Sequence, residues 1–444
     1  MKHKITIAFL FVATLLQAQV KELTLKDALQ YALENKAEAQ KAKLDVENSN
    51  HKIAEARSRA LPQLSLNGTL SNNPILLQSA LPGDIIGEPG TVVMVPFQQK
   101  WTSVGSASVT QAIFDQAVFT GLKAAKTTRE FYTINQQLTE EQLIEAVSVN
   151  YLQIYVFKQK LSFVESNLKS TQKVRDIIKG QYDNGLAKKI DYNRISVKVS
   201  NLEANRQQFA KQLELQENTL KFFIGMPMTE KISIPKLNFE ISAEAFTEEV
   251  KLDNRSEVLL LKKQEELLGL QKKYYQAEYY PTLSLDGSYG YQGLGKEFPL
   301  GATPQDQVYW SDFATLGLTM RIPVFNGFAT RSRVRMAEVD LKKISEDIKE
   351  TELALNYDFE NAKTQMTNSI INVGTQKENV ALAKEVMENT NNNYLNGLAT
   401  LTDLLDSETA LNEAQNAYTI AQYEYKLAEI QIIKSKGELK SLSK

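Results

Sequence analysis

The chain has 444 residues, 20 Gly, 11 Pro, no Cys, two His and a formal charge of −2. Lack of Cys removes disulfides, thiolate metal sites, thiol nucleophiles and a lipid-bearing N-terminal Cys, and one internal histidine, His51, supports neither a zinc site nor a His-based triad. Balanced charge gives no basic face for nucleic acid.

From the start of the chain, Lys2 and Lys4 precede an apolar run, Ile5 to Leu16, that is too short to span a bilayer. Ala18 follows, a small residue suited to cleavage. Residues 1–18 therefore read as a secretory signal, and its loss would leave a charge of about −4. Farther on there is no apolar run of membrane-helix length. Any membrane insertion must use β-strands.

Residues 24–60 read as helix, with Thr24 as cap and Leu25, Ala28, Leu29 and Ala32 on one face. His51 falls on its solvated side. Pro62 stops the helix, and the period changes to two. Leu64, Leu66, Gly68 and Leu70 alternate with Ser65, Asn67 and Thr69, the pattern of a strand with one apolar and one polar face. A partner strand follows at about 101–112, with Val104, Ala107 and Val109 as its apolar residues. Between the two, 71–100 is rich in Pro and Gly yet apolar (Ile75, Leu76, Leu77, Val92 to Val95). It reads as a surface loop that folds over a barrel mouth or, preferably, packs on itself.

A helical period starts after Phe114 and Asp115 and runs for some 65 residues, on the order of 100 Å at 1.5 Å per residue. It ends in Tyr182-Asp-Asn-Gly-Leu-Ala-Lys-Lys-Ile-Asp191, and a second helix returns to Gly225. The signature recurs as Tyr394-Leu-Asn-Gly-Leu-Ala-Thr-Leu-Thr-Asp403, identical at six of ten positions and offset by 212. Asn-Gly there marks a helix ending on a left-handed Gly185 or Gly397. The strand start at Pro62 returns at Pro281, offset by 219, and opens an alternation over Leu283, Leu285, Gly287, Tyr289 and Tyr291. Its partner alternates over Ala314, Leu316, Leu318, Met320 and Ile322.

The whole is therefore one architecture built twice. Residues 19–226 form the first repeat, with strands near 63–70 and 101–112 and a helical hairpin near 115–225 whose tip is 182–191. Residues 227–254 form an equatorial connector with short β-like pieces at Ile232, Ile234, Phe239 and Ile241. Residues 255–444 form the second repeat, with strands near 282–291 and 312–322 and a hairpin near 327–436 whose tip is 394–403. Four strands cannot close a barrel alone. Either several chains share one barrel, with Trp101, Tyr289, Tyr291 and Trp310 in an interfacial aromatic belt, or the strands edge a soluble sandwich.

This order, with its doubled Tyr-x-Asn-Gly-Leu-Ala tip and Pro-x-Leu-Ser-Leu strand starts, resembles the TolC-like outer-membrane efflux proteins over essentially the whole chain. The resemblance implies a mainly α fold with a membrane β-barrel portion. Three identical subunits would form a 12-stranded barrel and a long α-helical coiled-coil tunnel across the periplasm. It implies a passive outer-membrane export channel, not an enzyme, with no cofactor. Its partners would be outer-membrane lipid, a periplasmic adaptor (membrane fusion protein) and an inner-membrane RND pump or ABC exporter. In the best-known relative an Asp of the first tip, with a Tyr and an Arg of the second, holds the entrance shut. Asp191 and Tyr394 match the first two, while the Arg position carries Ala399.

Asp191 and Asp403 are candidates for carboxylate rings at the pore entrance, although an Asp early in a helix is also favourable without any function. Gly185, Leu186, Gly397 and Leu398 are candidates for the adaptor-docking tip, although each Gly also serves as a helix cap. The carboxylate pair Glu140 and Glu141 reads as a solvated helix face. A soluble periplasmic coiled-coil scaffold or adaptor is the alternative reading. It would need one hairpin and a lipoyl-like β domain.

Overall fold

The computed structural model describes residues 21–235, 252–301 and 304–443. The expected signal segment and the connector residues Phe239 and Ile241 lie outside them. In chain order the elements are β1 (Lys21–Glu22), α1 (Leu25–Asn35), α2 (Ala37–Ser58), β2 (Gln63–Asn72), β3 (Gln78–Pro82), β4 (Val92–Pro96) and β5 (Trp101–Phe114), then α3 (Gln116–Asp183) and α4 (Lys189–Ile224). After β6 (Ile232–Ser233) come α5 (Ser256–Ala277), β7 (Thr282–Gly295), β8 (Val308–Arg321), α6 (Ala329–Leu395) and α7 (Leu401–Ser435).

Two compact units share the chain, and each draws on both sequence repeats. One comprises Val46–Tyr132 and Lys262–Glu346 and contains a four-stranded antiparallel sheet of order β2-β5-β7-β8. Its central pairing, β5 with β7, joins the first repeat to the second. The duplication is therefore a sequence unit, while folding crosses it.

The other unit contains the rest of the described chain. Its largest core joins Leu23, Ala28, Leu29 and Ala32 to Ile144, Val147 and Tyr151 of α3, Leu220 and Ile224 of α4, and Ile430 of α7. The Tyr151 hydroxyl donates to the Leu23 carbonyl at 2.9 Å. Burial, and behind it the carboxylates of Asp27 and Glu22, pushes that phenol well above its ordinary range. Inside the second hairpin, Phe359, Ala362, Met366 and Val373 of α6 pack on Ala421, Tyr425, Ala428 and Ile432 of α7. These three- and four-residue spacings form a coiled-coil seam.

Two of the expected elements take a different form in the structure. First, the helix expected over 24–60 is two helices. Thr24 caps α1 as foreseen, in a reciprocal box with Asp27, but Lys36 is extended (φ −69°, ψ 130°) and breaks the rod. Its ammonium donates to the Phe222 carbonyl at 2.9 Å and lies over the Phe222 ring. This supplies a cation to the C-terminal end of α4, where carbonyls lack partners. Gly225 there is left-handed (φ 75°), and a Cβ on it would sit 2.9 Å from the Asn35 carbonyl oxygen. The break and the glycine fit one another. Second, residues 71–100 are not a plain loop: β3 and β4 pair antiparallel. In the connector, β6 pairs in parallel with β1.

Candidate functional site

The tip geometry begins with the Asn-Gly pairs. Gly185 has φ 76° and Gly397 φ 74°. At the first tip the Leu186 amide donates to the Gln181 carbonyl at 2.7 Å and the Gly185 amide to Tyr182 at 2.9 Å. The second tip repeats this with Leu398 to Asn393 at 2.8 Å and Gly397 to Tyr394 at 3.0 Å. Each Asn side-chain amide donates back one turn, Asn184 to Gly180 at 2.7 Å and Asn396 to Asn392 at 2.8 Å. These bonds satisfy the last carbonyls of α3 and α6 and force a left-handed residue. At the apices Leu186 and Leu398 are exposed.

The restarts differ, and one residue makes the difference. Thr400 caps α7: Asp403 N–H donates to its hydroxyl, and the Thr400 amide and hydroxyl donate to the Asp403 carboxylate at 2.8 and 2.7 Å. That capping box holds the Asp403 carboxyl below the usual range, the hydroxyl contributing most. Lys188 takes the equivalent place before α4 and forms no side-chain cap. Asp191 is therefore not drawn into a box. It lies close enough to Tyr394 that its charge helps raise the phenol's pKa, burial being the larger cause.

Tyr394 belongs to a small core that joins the two hairpins near their tips. Ile178, Ile195 and Leu401 are its buried centre, with Tyr192, Tyr394 and Leu405 around them. Tyr182 and Tyr192 stack with their centroids 5.8 Å apart. Beside this core, α4 and α7 border a groove lined by Ile190, Arg194, Val197, Lys198, Leu405 and Asp406. Arg194 donates to the Thr402 hydroxyl at 3.2 Å and Lys198 to that of Thr409 at 3.0 Å. Asp406, exposed and one turn beyond Asp403, did not stand out in the sequence because the groove it borders is completed by residues of α4.

In the sheet, register decides which residues share a face, since directly paired residues point the same way. Leu66 pairs with Ala107, Ala107 with Tyr289 and Tyr289 with Ala314. Along that row's face lie Leu64, Leu66, Leu70, Val109, Leu283, Leu285, Leu316, Leu318 and Met320. On the opposite face Ser65 bonds Ser108 at 2.7 Å, and the Thr110 hydroxyl donates to Asp286 at 3.1 Å. Val104, counted with the apolar residues in the sequence, pairs with Thr69 and Gln292 on this polar face.

All four belt candidates fall on the apolar face. Trp101 pairs with Gly295, and Trp310 with Gly293. Trp101 meets Phe298 edge-on at 5.3 Å, while Tyr291 stacks on Trp310 at 5.1 Å. The Trp310 ring covers Gly293, where a Cβ would come within 2.7 Å of it. This cluster is at the loop end of the strands. At their helix end, Phe114, Phe119, Tyr279, Tyr280, Phe325 and Phe328 are also exposed. Sequence reading passed over these, although several flank strand ends directly.

Leu66 is 81% exposed and Leu316 79%, so nothing in the described chain covers the apolar face. The edge strands β2 and β8 each pair on one side only. An open edge and an uncovered leucine face are costly in water; both are resolved when further strands close the sheet and lipid surrounds it. Among the described residues no helix is long and apolar enough to cross a membrane. The sheet and its edges thus define a subunit of an assembled outer-membrane β-barrel channel.

The chain belongs to the outer membrane efflux protein family, which matches residues 28–226 and 252–438. It is similar to outer membrane protein TolC of Escherichia coli (strain K12), with 22% identity over 426 residues covering 94% of this chain and 82% of that protein. Its fold is similar to that of outer membrane protein VceC of Vibrio cholerae, with TM-score 0.73 and 16% identity over 93% of this chain and 96% of that one. The Campylobacter jejuni CmeC outer membrane channel gives TM-score 0.73 and 14% identity over 93% of this chain and 85% of that one. The fold is the family's trimeric barrel-and-tunnel architecture. The protein is a non-catalytic outer-membrane channel component of a tripartite efflux or export system, with a large periplasmic helical region. Channels of this family work with periplasmic adaptors and inner-membrane RND or ABC exporters.

Proposed function

We propose that the channel is a passive exit duct whose entrance is gated by the two unlike tips. The observation that carries this reading is the core of Ile178, Ile195 and Leu401, with Tyr394 packed on it, that joins the hairpins near their tips; Asp191 is near enough for its charge to act on the Tyr394 phenol. Separating the hairpins would expose that core, so the closed state has an apolar latch with a carboxylate beside it. Ala399 supplies no cation, and Asp403 is engaged in its cap. We therefore assign the pore charge to Asp191 and, on the second tip, to Asp406 in preference to Asp403. Asp191→Ala should change single-channel conductance, or its block by divalent cations, by about twofold or more. Unchanged conductance and block would remove Asp191 from the pore.

The exposed apices, Gly185 with Leu186 and Gly397 with Leu398, are assigned to adaptor docking beside the groove between α4 and α7. Nothing lies within 4 Å of a Cβ built at Gly397. Gly397→Val would therefore act through backbone strain, roughly 1–2 kcal/mol, without a clash. Export of the channel's cargo should fall while trimer yield holds; normal export would refute docking at this apex. Trp101, Tyr291 and Trp310 are assigned to the loop-side aromatic belt and the group around Tyr280 and Phe325 to the helix-side belt, while Tyr289, paired with Ala314, falls near mid-strand between them.

A further inference from the structure

The segment 73–100 is the apolar feature that the channel reading leaves unexplained. It continues the β2–β5 pair: the Asn73 amide donates to the Lys100 carbonyl at 2.7 Å and the Asn73 side chain to Gln99 at 3.0 Å. Beyond that clip, β3 and β4 form a hairpin closed by the Gly83 amide on the Thr91 carbonyl at 2.8 Å. Ala80 pairs with Met94 and Pro82 with Val92, so these four share a face. Val92 and Met94 are exposed, as are Ile75 (91%), Leu77, Ile85 and Phe97 around them. Only Asp84, Glu88 and Lys100 carry charge between residues 73 and 100. A two-stranded hairpin with an uncovered apolar face is marginal on its own.

What covers it follows from its place. The hairpin springs from β2, one of the two edge strands at which neighbouring copies of the sheet must join. It is continuous with the subunit seam. Pro82 and Pro96 end its two strands and lack amide donors, which disfavours extension by a further strand and leaves side-chain packing as the mode of contact. We propose that this hairpin is an intersubunit clasp, its apolar face packed against the same hairpin of the neighbouring copies across the loop-side mouth of the barrel. The proposal rests on the trimeric architecture but not on the gate at the tips.

The natural absence of Cys makes a single introduced thiol unique. Met94→Cys should cross-link subunits with a short bismaleimide in outer-membrane vesicles, and should resist a membrane-impermeant maleimide until the trimer is denatured. Val92→Cys, on the same face, serves if the first variant assembles poorly. Trimer migration on a gel, read on the same samples, shows whether assembly itself holds. In assembled trimers, absence of cross-linking with full labelling by the impermeant reagent would mean an open, wet hairpin and would overturn the clasp. Absence of cross-linking with quenching of a thiol-attached fluorophore by brominated lipid would mean a lipid-facing hairpin and would overturn it equally.

Discussion

Leu316→Arg should nearly abolish heat-stable trimer in the outer membrane, whereas Thr315→Arg, one residue away, should assemble. Leu316 lies midway along β8, pairs with Gly287 and is exposed on the apolar face. Arginine on a lipid face at the bilayer midplane costs about 2–4 kcal/mol, and a trimer carries it three times. Thr315 pairs with Ser288 on the polar face, where an arginine meets water. Met320→Arg, nearer the strand's end, should be intermediate, since the cost falls to about 0–1 kcal/mol near the interface. Quantifying trimer bands from membrane fractions for the three variants gives the order. Equal tolerance of Leu316→Arg and Thr315→Arg would remove the lipid-facing assignment and return the sheet to a soluble role.

That contrast was legible in the sequence, because a period of two separates faces without any knowledge of pairing. Leu283, Leu285, Leu316 and Leu318 announced their face, and Asn-Gly announced each tip. Weakly patterned strands were less clear: β5 is rich in Ser, Thr and Gly, and only its register with β7 placed Val104 on the polar face. The hairpin β3–β4 was hidden because its apolar residues run consecutively instead of alternating. The break at Lys36 was invisible for another reason. Its cause is the end of α4, 186 residues away, pressing Gly225 and the Phe222 carbonyl against it. Around the candidate gate, the sequence offered both Asp191 and Asp403 for the pore entrance and favoured Asp191. What separates them is the residue three before each, Lys188 against Thr400, which decides whether the carboxylate is consumed by its own helix end.

A buried carboxylate between the hairpins yields the last expected result: Glu408→Gln should stabilise the helical unit at neutral pH and have no effect in acid. Glu408, on α7 two turns from the second tip, is 7% exposed. The Thr171 hydroxyl of α3 donates to it at 2.6 Å, and Asn167 beside Thr171 is likewise buried. Desolvation raises its pKa, against the opposing effects of Thr171 and of Lys198 on α4. The sign follows from linkage. In acid the group is neutral folded and unfolded, and its native contact is retained in full. As pH climbs past the unfolded carboxylate value, the unfolded chain releases its proton first, and stability falls until the raised native value is passed. Gln keeps an acceptor for Thr171 and does not titrate. Its advantage should open across that window and level off above it at about 1–3 kcal/mol, the range for a buried polar group whose lost hydration is incompletely replaced. Thermal unfolding followed by helical circular dichroism at acid and neutral pH, on wild type and variant, reads the difference directly. A variant less stable than wild type at neutral pH would show that the ionised Glu408 is held by its neighbours, and that this seam between α3 and α7 is an ion-paired lock instead of a strained one.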